Sequence, residues 1–383
     1  MKKIAIIGSG EFQLPLIKVA KNIGYETHVF SWGGNESVPD FFYEISITDK
    51  ELILKKCREI QIDGVCSIGS DLANITVNYI AHHMKLIGNS LDCTRITTNK
   101  YLMRNHLGLK NVPIPQFNYV SNCKINSDKL FYPVIVKPVD RSGSRGISLV
   151  QSEENLRFAI DLALTESFSK EVLIEQFITG REFSVESISY RGEHKILQIT
   201  EKFTTGSPGF IERGHTCPAR ITEEEKNRIY DIVYKTLDAV EIENGAAHTE
   251  LKINDEGKIY IIEIGSRMGG DFIGSDLVFQ STGFDFTKSV IAISMNENLK
   301  FTDFINDNVQ SRTAIVKFIF NKHDFAECFK FSAENPDSVI HFDYDDCDHI
   351  DTRKVTSSAD RFGHLLISTD LRYQDQILNK LGL

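Results

Sequence analysis

The stretch that most constrains this chain is Glu250–Phe272, ELKINDEGKIYIIEIGSRMGGDF. Two apolar-rich runs, Ala246–Ile253 and Lys258–Ile264, flank Asn254-Asp255-Glu256-Gly257, whose residue types suit a tight hairpin connection. Folding the hairpin brings Glu250 and Glu263 side by side on neighbouring strands. Isolated like charges placed that close repel, so a sheet would not put them there for stability. A divalent cation between them removes the repulsion, and hard oxygen ligands suit Mg²⁺. Arg267 follows on a chain loosened by Gly265, Gly269 and Gly270, where it would hold an oxyanion or phosphate bidentately. The alternative is a hairpin with two solvated glutamates.

Length and charge narrow the setting. With 383 residues the chain can build two or three domains. A net charge of −10 argues against nucleic acid as the main partner. Seven cysteines with no CxxC pair indicate neither a zinc ribbon nor a disulfide framework and read as reduced thiols. Ile4–Ile7 is too short for a signal peptide, and no run approaches the length of a membrane span. The expectation is a cytoplasmic protein without membrane contact.

Residues 1 to about 90 alternate strand and helix: Lys3–Ile7, a helix ending at Gly24, Glu26–Trp32, a helix around Leu52–Ile60, Gly64–Ile68, and a helix around Ala73–Ala81. That pattern implies a parallel sheet with helices on both faces. The turn Gly8-Ser9-Gly10-Glu11-Phe12-Gln13 begins like a dinucleotide fingerprint, but Gln13 replaces the third glycine, which disfavours a nicotinamide cofactor. Asp71 opens at the carboxyl edge of the sheet, as a substrate contact or simply as a helix N-cap.

Lys100 lies in the first turn of a helix over Asn99–Leu107 and by itself reads as an exposed lysine. Tyr132–Lys137 is a strand ending in a lysine. After it, Asp140-Arg141-Ser142-Gly143-Ser144-Arg145-Gly146 offers free backbone N–H groups and mobile cations, as a polyphosphate requires. The helix Glu153–Ser167 carries an apolar stripe including Phe158 and Leu162. Strands Glu171–Ile178 and Arg181–Ser189 meet at a turn whose unpaired backbone groups would read an adenine edge, with Glu182 beyond it for ribose hydroxyls. His194–Phe203 is a strand, and Thr204–His215 reads as a long polar loop that makes Arg213 and His215 candidate substrate contacts. Glu223–Val240, Asp276–Gln280 and Thr287–Met295 read as helices. Short strand-like runs follow at Thr313–Phe320, Val339–Phe342 and Gly363–Ser368, with an acidic surface loop at Asp343, Asp345, Asp346, Asp348 and Asp351 that lacks the EF-hand pattern around Cys347.

Taken in order, TNKYLMRNHLG, YPVIVKP, the SGSRG loop, IEQFITGREFSVE and HTELKI…IIEIGSRMGG resemble the ATP-grasp superfamily over essentially the whole chain. The branch holding carbamoyl-phosphate-synthetase-like, biotin-carboxylase-like and L-amino-acid ligase enzymes is most similar. The resemblance implies α/β and α+β architecture: a preATP-grasp parallel-sheet domain (1–92), a two-lobed ATP-grasp domain (93–300, with a small phosphate-loop subdomain about 116–178) and a C-terminal cap (301–383) suggested by VTSSADRFGHLLI. It implies ATP with Mg²⁺ or Mn²⁺ as cofactors, small-molecule carboxylate and amine substrates, and the homodimeric state common among relatives. Lys100 and Lys137, with Ser142, Gly143, Ser144, Arg145 and Gly146, would hold phosphates. Glu175, Gln176, Phe177 and Ile178 would form the adenine hinge and Glu182 would bind ribose. Glu250 and Glu263 would bind metal, and Arg267 would stabilise the acyl-phosphate and its tetrahedral successor. Asp71, Arg213, His215, Gly269 and Gly270 remain the candidates for substrate. The family pattern Glu-x-Asn-x-Arg is broken at Gly265, so the Asn ligand is missing. The implied reaction is ATP-dependent carboxylate–amine ligation. Bicarbonate phosphorylation and a non-catalytic nucleotide-binding module are the alternatives.

Overall fold

The structure, a computed structural model, describes residues 1–121, 130–141, 143–306, 309, 312–345, 349–350 and 354–383. Apolar Ile4–Ile7 make β1 (Lys3–Ile7) a strand buried over all but its first residue, as a parallel sheet covered on both faces requires. α1 (Leu14–Asn22) packs Leu16, Ile17 and Ala20 against it. β2 (Glu26–Ser31), β3 (Phe41–Glu44), α2 (Lys50–Ile60), β4 (Gly64–Cys66) and α3 (Asp71–Met84) complete a four-stranded sheet of order β3-β2-β1-β4, every pair parallel. β3 is an edge strand with no fully buried residue, so it lacks the apolar run that marks its neighbours.

In the first turn the Gln13 side chain accepts from Gly10 N (3.1 Å) and donates to the Ile68 carbonyl (2.7 Å). It fills the space a dinucleotide fingerprint leaves open. At the head of α3 the N-cap is Ser70, whose hydroxyl accepts from Ala73 N at 3.2 Å, and not Asp71. The Asp71 carboxylate is thereby left for another partner.

α4 (Leu91–Thr98) and α5 (Lys100–Leu109) lead to a small antiparallel sheet of β5 (Phe117–Val120), β6 (Val134–Pro138), β7 (Ser148–Val150) and, after α6 (Leu156–Glu166), β8 (Val172–Gln176), in the order β5-β8-β6-β7. Leu156, Ala159, Ile160 and Ala163 of α6 cover it. The expected stripe is therefore narrower than the sequence suggests: Phe158 and Leu162 face solvent.

The third sheet has eight antiparallel strands. They are β9 (Arg181–Tyr190), β10 (Glu193–Thr204), β11 (Glu212–Cys217), β12 (Gly245–Ile253), β13 (Ile259–Gly265), β14 (Arg312–Phe318), β15 (Val339–Tyr344) and β16 (Gly363–Asp370), in the order β13-β12-β9-β10-β11-β14-β16-β15. α7 (Glu223–Ala239) enters on a reciprocal cap between Thr222 and Glu225 and packs beneath it. α8 (Val278–Thr282), preceded by a π-helical turn, and α9 (Phe286–Ser294) join the sheet to the first domain. α10 (Lys322–Glu334) and α11 (Gln374–Lys380), neither expected from sequence, cover the far end.

Two expectations change here. The long loop before Cys217 closes at Ile211, so Arg213 and His215 lie on β11, a strand inside the sheet. The C-terminal strands extend the same sheet that carries the hairpin. Asp343 lies on β15, whereas Asp346, Cys347, Asp348 and Asp351 of the acidic loop lie outside the described residues.

Candidate active site

Strand alternation builds the site. On β9 and β12, Phe183, Val185, Ala247, Leu251 and Ile253 turn into the core. Their neighbours Glu182, Glu186, His248, Glu250 and Lys252 share the opposite face. β12 and β13 form the expected hairpin, and Glu250 is the register partner of Glu263. Each carboxylate has its own lysine. Lys202 Nζ lies 2.7 Å from Glu250, 3.4 Å from Glu182 and 3.7 Å from Glu212. Lys100 Nζ lies 2.9 Å from Glu263 and donates to the Arg141 carbonyl at 2.8 Å.

Lys100 is therefore buried, not exposed as the isolated helix pattern suggested. Burial alone would lower its pKa, but Glu263, Asp71 and Glu250 outweigh it and hold the ammonium above its ordinary value. The same contest, won by Glu250, Glu182 and Glu212, puts Lys202 well above its own. His248 bridges Glu186 and Glu250; burial opposes its charge, yet the two carboxylates push it up to about 9. Burial likewise opposes ionisation of Glu250, which Lys202 and His248 nonetheless hold well below the usual carboxylate range.

At the hinge, the buried Glu175 carboxylate sits between Arg104 and Lys137, at 2.5 Å from each. Desolvation outweighs Glu175 and lowers the pKa of Lys137. Glu175 thus faces cations with its side chain, leaving only backbone to a base edge. Glu182 stands between Lys202 and Lys252, each 3.4 Å away. In the loop after β6, Gly143 and Gly146 adopt φ of +71°. At Gly146 a Cβ would meet Glu166 at 2.9 Å, so glycine is required there. Ser144 donates to the Phe210 carbonyl at 3.2 Å. Ser142 lies outside the described residues.

Arg267 pairs bidentately with Asp71, at 2.7 and 3.2 Å, joining the first domain to the hairpin. Burial opposes its charge, but Asp71 and Glu263 raise its pKa beyond the ordinary arginine value. A Cβ at Gly265 would lie 3.4 Å from both Arg267 Nε and Asp71 Oδ1, ordinary contact distance, so a side chain there would pack directly against this pair.

Two adjoining cavities meet at these charges. A cleft of about 190 Å³ is lined by Lys100, Lys137, Gly143, Ser144, Glu175 to Ile178, Glu182, Glu250, Glu263 and Arg267. A second cavity of about 420 Å³ shares Gly143, Lys202, Glu212, His248, Glu250 and Arg267 with it. Arg145, His215, Gly270, Asp271, Phe272 and Arg361 add to its wall. Other residues singled out in the sequence go elsewhere. Arg213 bonds the Gly382 carbonyl at 3.1 Å and lines neither cavity. Gly269 packs on the Glu186–His248 pair, donating to Glu186 at 3.0 Å, and Asp71 holds Arg267. Arg104, Glu186, His248, Lys202, Glu212, Asp271 and Arg361 escaped the sequence reading. Only His248, two positions before Glu250 on the same strand face, carried a readable signal.

Glu250 and Glu263 fit a hard divalent ion that keeps much of its coordination for water and nucleotide oxygens, which is the habit of Mg²⁺. Among the described residues no group of three or more His, Cys, Asp or Glu is arranged to hold a metal alone. No helix among them is long and apolar enough to cross a membrane.

Residues 130–276 match the ATP-grasp domain family. The chain is 27% identical over 268 residues to a D-alanine–D-alanine ligase of Thermosipho africanus, covering 64% of this chain and 71% of that protein. It spans about half the length of several other curated relatives. In fold it is similar to the L-amino acid ligase of Bacillus licheniformis, with a TM-score of 0.82 and 22% identity across 100% of this chain and 97% of that one. The N5-carboxyaminoimidazole synthetase of Staphylococcus aureus complexed with ADP gives a TM-score of 0.77 at 16% identity, covering 99% and 97%. Residues 130–276 thus form an ATP-grasp domain. The fold of the chain, from the parallel-sheet first domain through the antiparallel sheets, is that of these solved structures.

Proposed function

We propose that this protein is a cytoplasmic ATP-dependent ligase that joins a small-molecule carboxylate to an amine through an acyl-phosphate, releasing ADP and phosphate. The observation that carries this is the 420 Å³ cavity opening onto Arg267, Lys202 and Glu250 beside the cleft lined by the phosphate loop and hinge. That is the volume of a small-molecule site and far exceeds what bicarbonate needs.

In this reading the hinge from Glu175 to Ile178 receives adenine through its backbone, and Glu182 receives the ribose. Lys100, Lys137 and the Gly143–Gly146 loop take the phosphates, and Mg²⁺ held by Glu250 and Glu263 would neutralise the charge on the transferring group. Lys202 stands at the junction of the two cavities, where the γ-phosphoryl passes to the substrate carboxylate. Arg267, fixed by Asp71, faces the oxyanion that forms when the amine attacks. Glu175 acts by holding Lys137, and Asp71 by holding Arg267.

The test is incubation with ATP, Mg²⁺, a panel of carboxylic acids including amino acids, and hydroxylamine. A hydroxamate with stoichiometric ADP and phosphate is expected. AMP with pyrophosphate would rule out the acyl-phosphate route. ATP hydrolysis stimulated by bicarbonate alone would favour the alternative, and nucleotide binding without turnover under any of these conditions would favour the non-catalytic module.

A further inference from the structure

A buried imidazole with nothing to bond is costly, since its polar atoms have left water without replacement. His215 is fully buried in β11, and neither ring nitrogen has a hydrogen-bond partner. The residue is nevertheless among those that line the 420 Å³ cavity. Strand pairing sets it opposite Lys202 across β10 and β11, one strand from the junction with the nucleotide cleft. Phe318 packs edge-on against it, with ring centroids 5.8 Å apart.

An ionic neighbour is Asp271, whose Oδ2 stands 3.8 Å from Nε2, just beyond hydrogen-bond reach. Asp271 is held firmly. Arg361 clamps both its carboxylate oxygens, at 2.7 and 2.9 Å, and sits over Phe318 with its guanidinium carbon 3.6 Å from the ring centroid. Asp271 and Phe272 are both in the left-handed region, with φ of 51° and 64°. Two adjacent non-glycine residues there store strain of about 1–3 kcal/mol each, which concentrates at functional sites. The unpartnered ring beside a fixed carboxylate is the arrangement of a base awaiting a proton.

We propose, resting on the ligase reading above, that His215 is the base that takes a proton from the incoming amine, with Asp271 positioned by Arg361 to stabilise the resulting imidazolium. The amine arrives as an ammonium ion. The bare nitrogen of the neutral imidazole accepts one N–H proton, and the freed lone pair forms the C–N bond at the acyl-phosphate carbon. The carbonyl π pair moves to the oxygen facing Arg267. Collapse breaks the acyl C–O bond, and the departing phosphate takes both that electron pair and the second N–H proton. The imidazolium returns its proton to solvent as product leaves. Burial keeps His215 below the ordinary histidine pKa, with Asp271 and Glu212 pulling it up and Lys202 pushing it down. It is therefore neutral, and able to accept, at neutral pH.

The discriminating experiment runs amide and hydroxamate formation in parallel on wild type and His215→Gln. Hydroxylamine is largely unprotonated at neutral pH and needs no base, whereas an alkyl or amino-acid amine does. Amide formation in the variant is expected to fall by about 10²–10⁴-fold, with the hydroxamate-to-amide ratio rising by a similar factor. Raising the pH should recover much of the lost amide rate as solution supplies free amine. Asp271→Asn, which tolerates the left-handed backbone, should shift the ratio in the same direction by less. A parallel loss of both products in both variants, or an unchanged ratio, would overturn the assignment. Absence of hydroxamate from wild type would instead overturn the ligase reading, and this one with it.

Discussion

Lys202 is the residue whose removal should be felt most widely. It neutralises Glu250 and approaches Glu182 and Glu212 while nearly buried. Lys202→Met would leave three carboxylates facing one another, at a cost of about 3 kcal/mol; urea denaturation at neutral pH should show it, and Mg²⁺ should restore part of it. His364 gives a pH signature. Burial, reinforced by the neighbouring His341 at 2.8 Å, pushes it down from 6.5 to about 4. Between those values the unfolded chain binds a proton that the folded chain does not. Stability should therefore rise with pH across that window, by up to about 3 kcal/mol, and stay flat above it. Thermal melts of wild type and His364→Gln should differ in slope below pH 6.5 and run parallel above. Residue types were legible in the sequence but their environments were not. Glu250 and Glu263 declared themselves through spacing, whereas Lys100 read as exposed because its partners, Glu263 and the Arg141 carbonyl, come from elements far along the chain.

Elements were legible where one period ran uninterrupted between clear breakers. The hairpin was such a case: Asn254 to Gly257 punctuated it, and its register fell where the two glutamates required. β11 was not, because the polar run ERGHTC carries no alternation, and it is made a strand by the neighbours that pair with it on both sides. α10 and α11 were missed for a related reason: short amphipathic segments acquire their helical status from the sheet end they cover. The turn between β8 and β9 makes a sharper test. Gly180 has φ of +100°, and a Cβ there would lie 2.1 Å from the Ile253 carbonyl oxygen, which is backbone and cannot swing away. Gly180→Ala should cost about 2–4 kcal/mol and displace Glu182 as well. Nucleotide affinity should then fall with stability, and an unchanged affinity for ADP would remove the turn from the nucleotide site.

At the scale of the whole molecule, three sheets converge on one charged centre, and ion pairs tie them across the gaps. Arg267 of the hairpin end reaches Asp71 of the first domain. Lys100, on the helix between domains, reaches Glu263. Lys137 and Glu175 pair within the small sheet at the hinge. A ligand that binds this centre contacts all three parts, so its binding energy appears as stability of the whole. ADP with Mg²⁺ at a hundredfold excess over its dissociation constant should stabilise the protein by about 2.7 kcal/mol, as a single cooperative shift. In Glu263→Gln the ADP-only shift should survive while the increment added by Mg²⁺ is lost, because one of its two carboxylates has gone. Asp71→Asn should keep both shifts yet lower turnover, since it loosens Arg267 without touching the metal pair. Equal Mg²⁺ increments in wild type and Glu263→Gln would place the metal elsewhere. A lost ADP shift in Asp71→Asn would mean that the first domain holds the nucleotide site together as well as orienting its arginine.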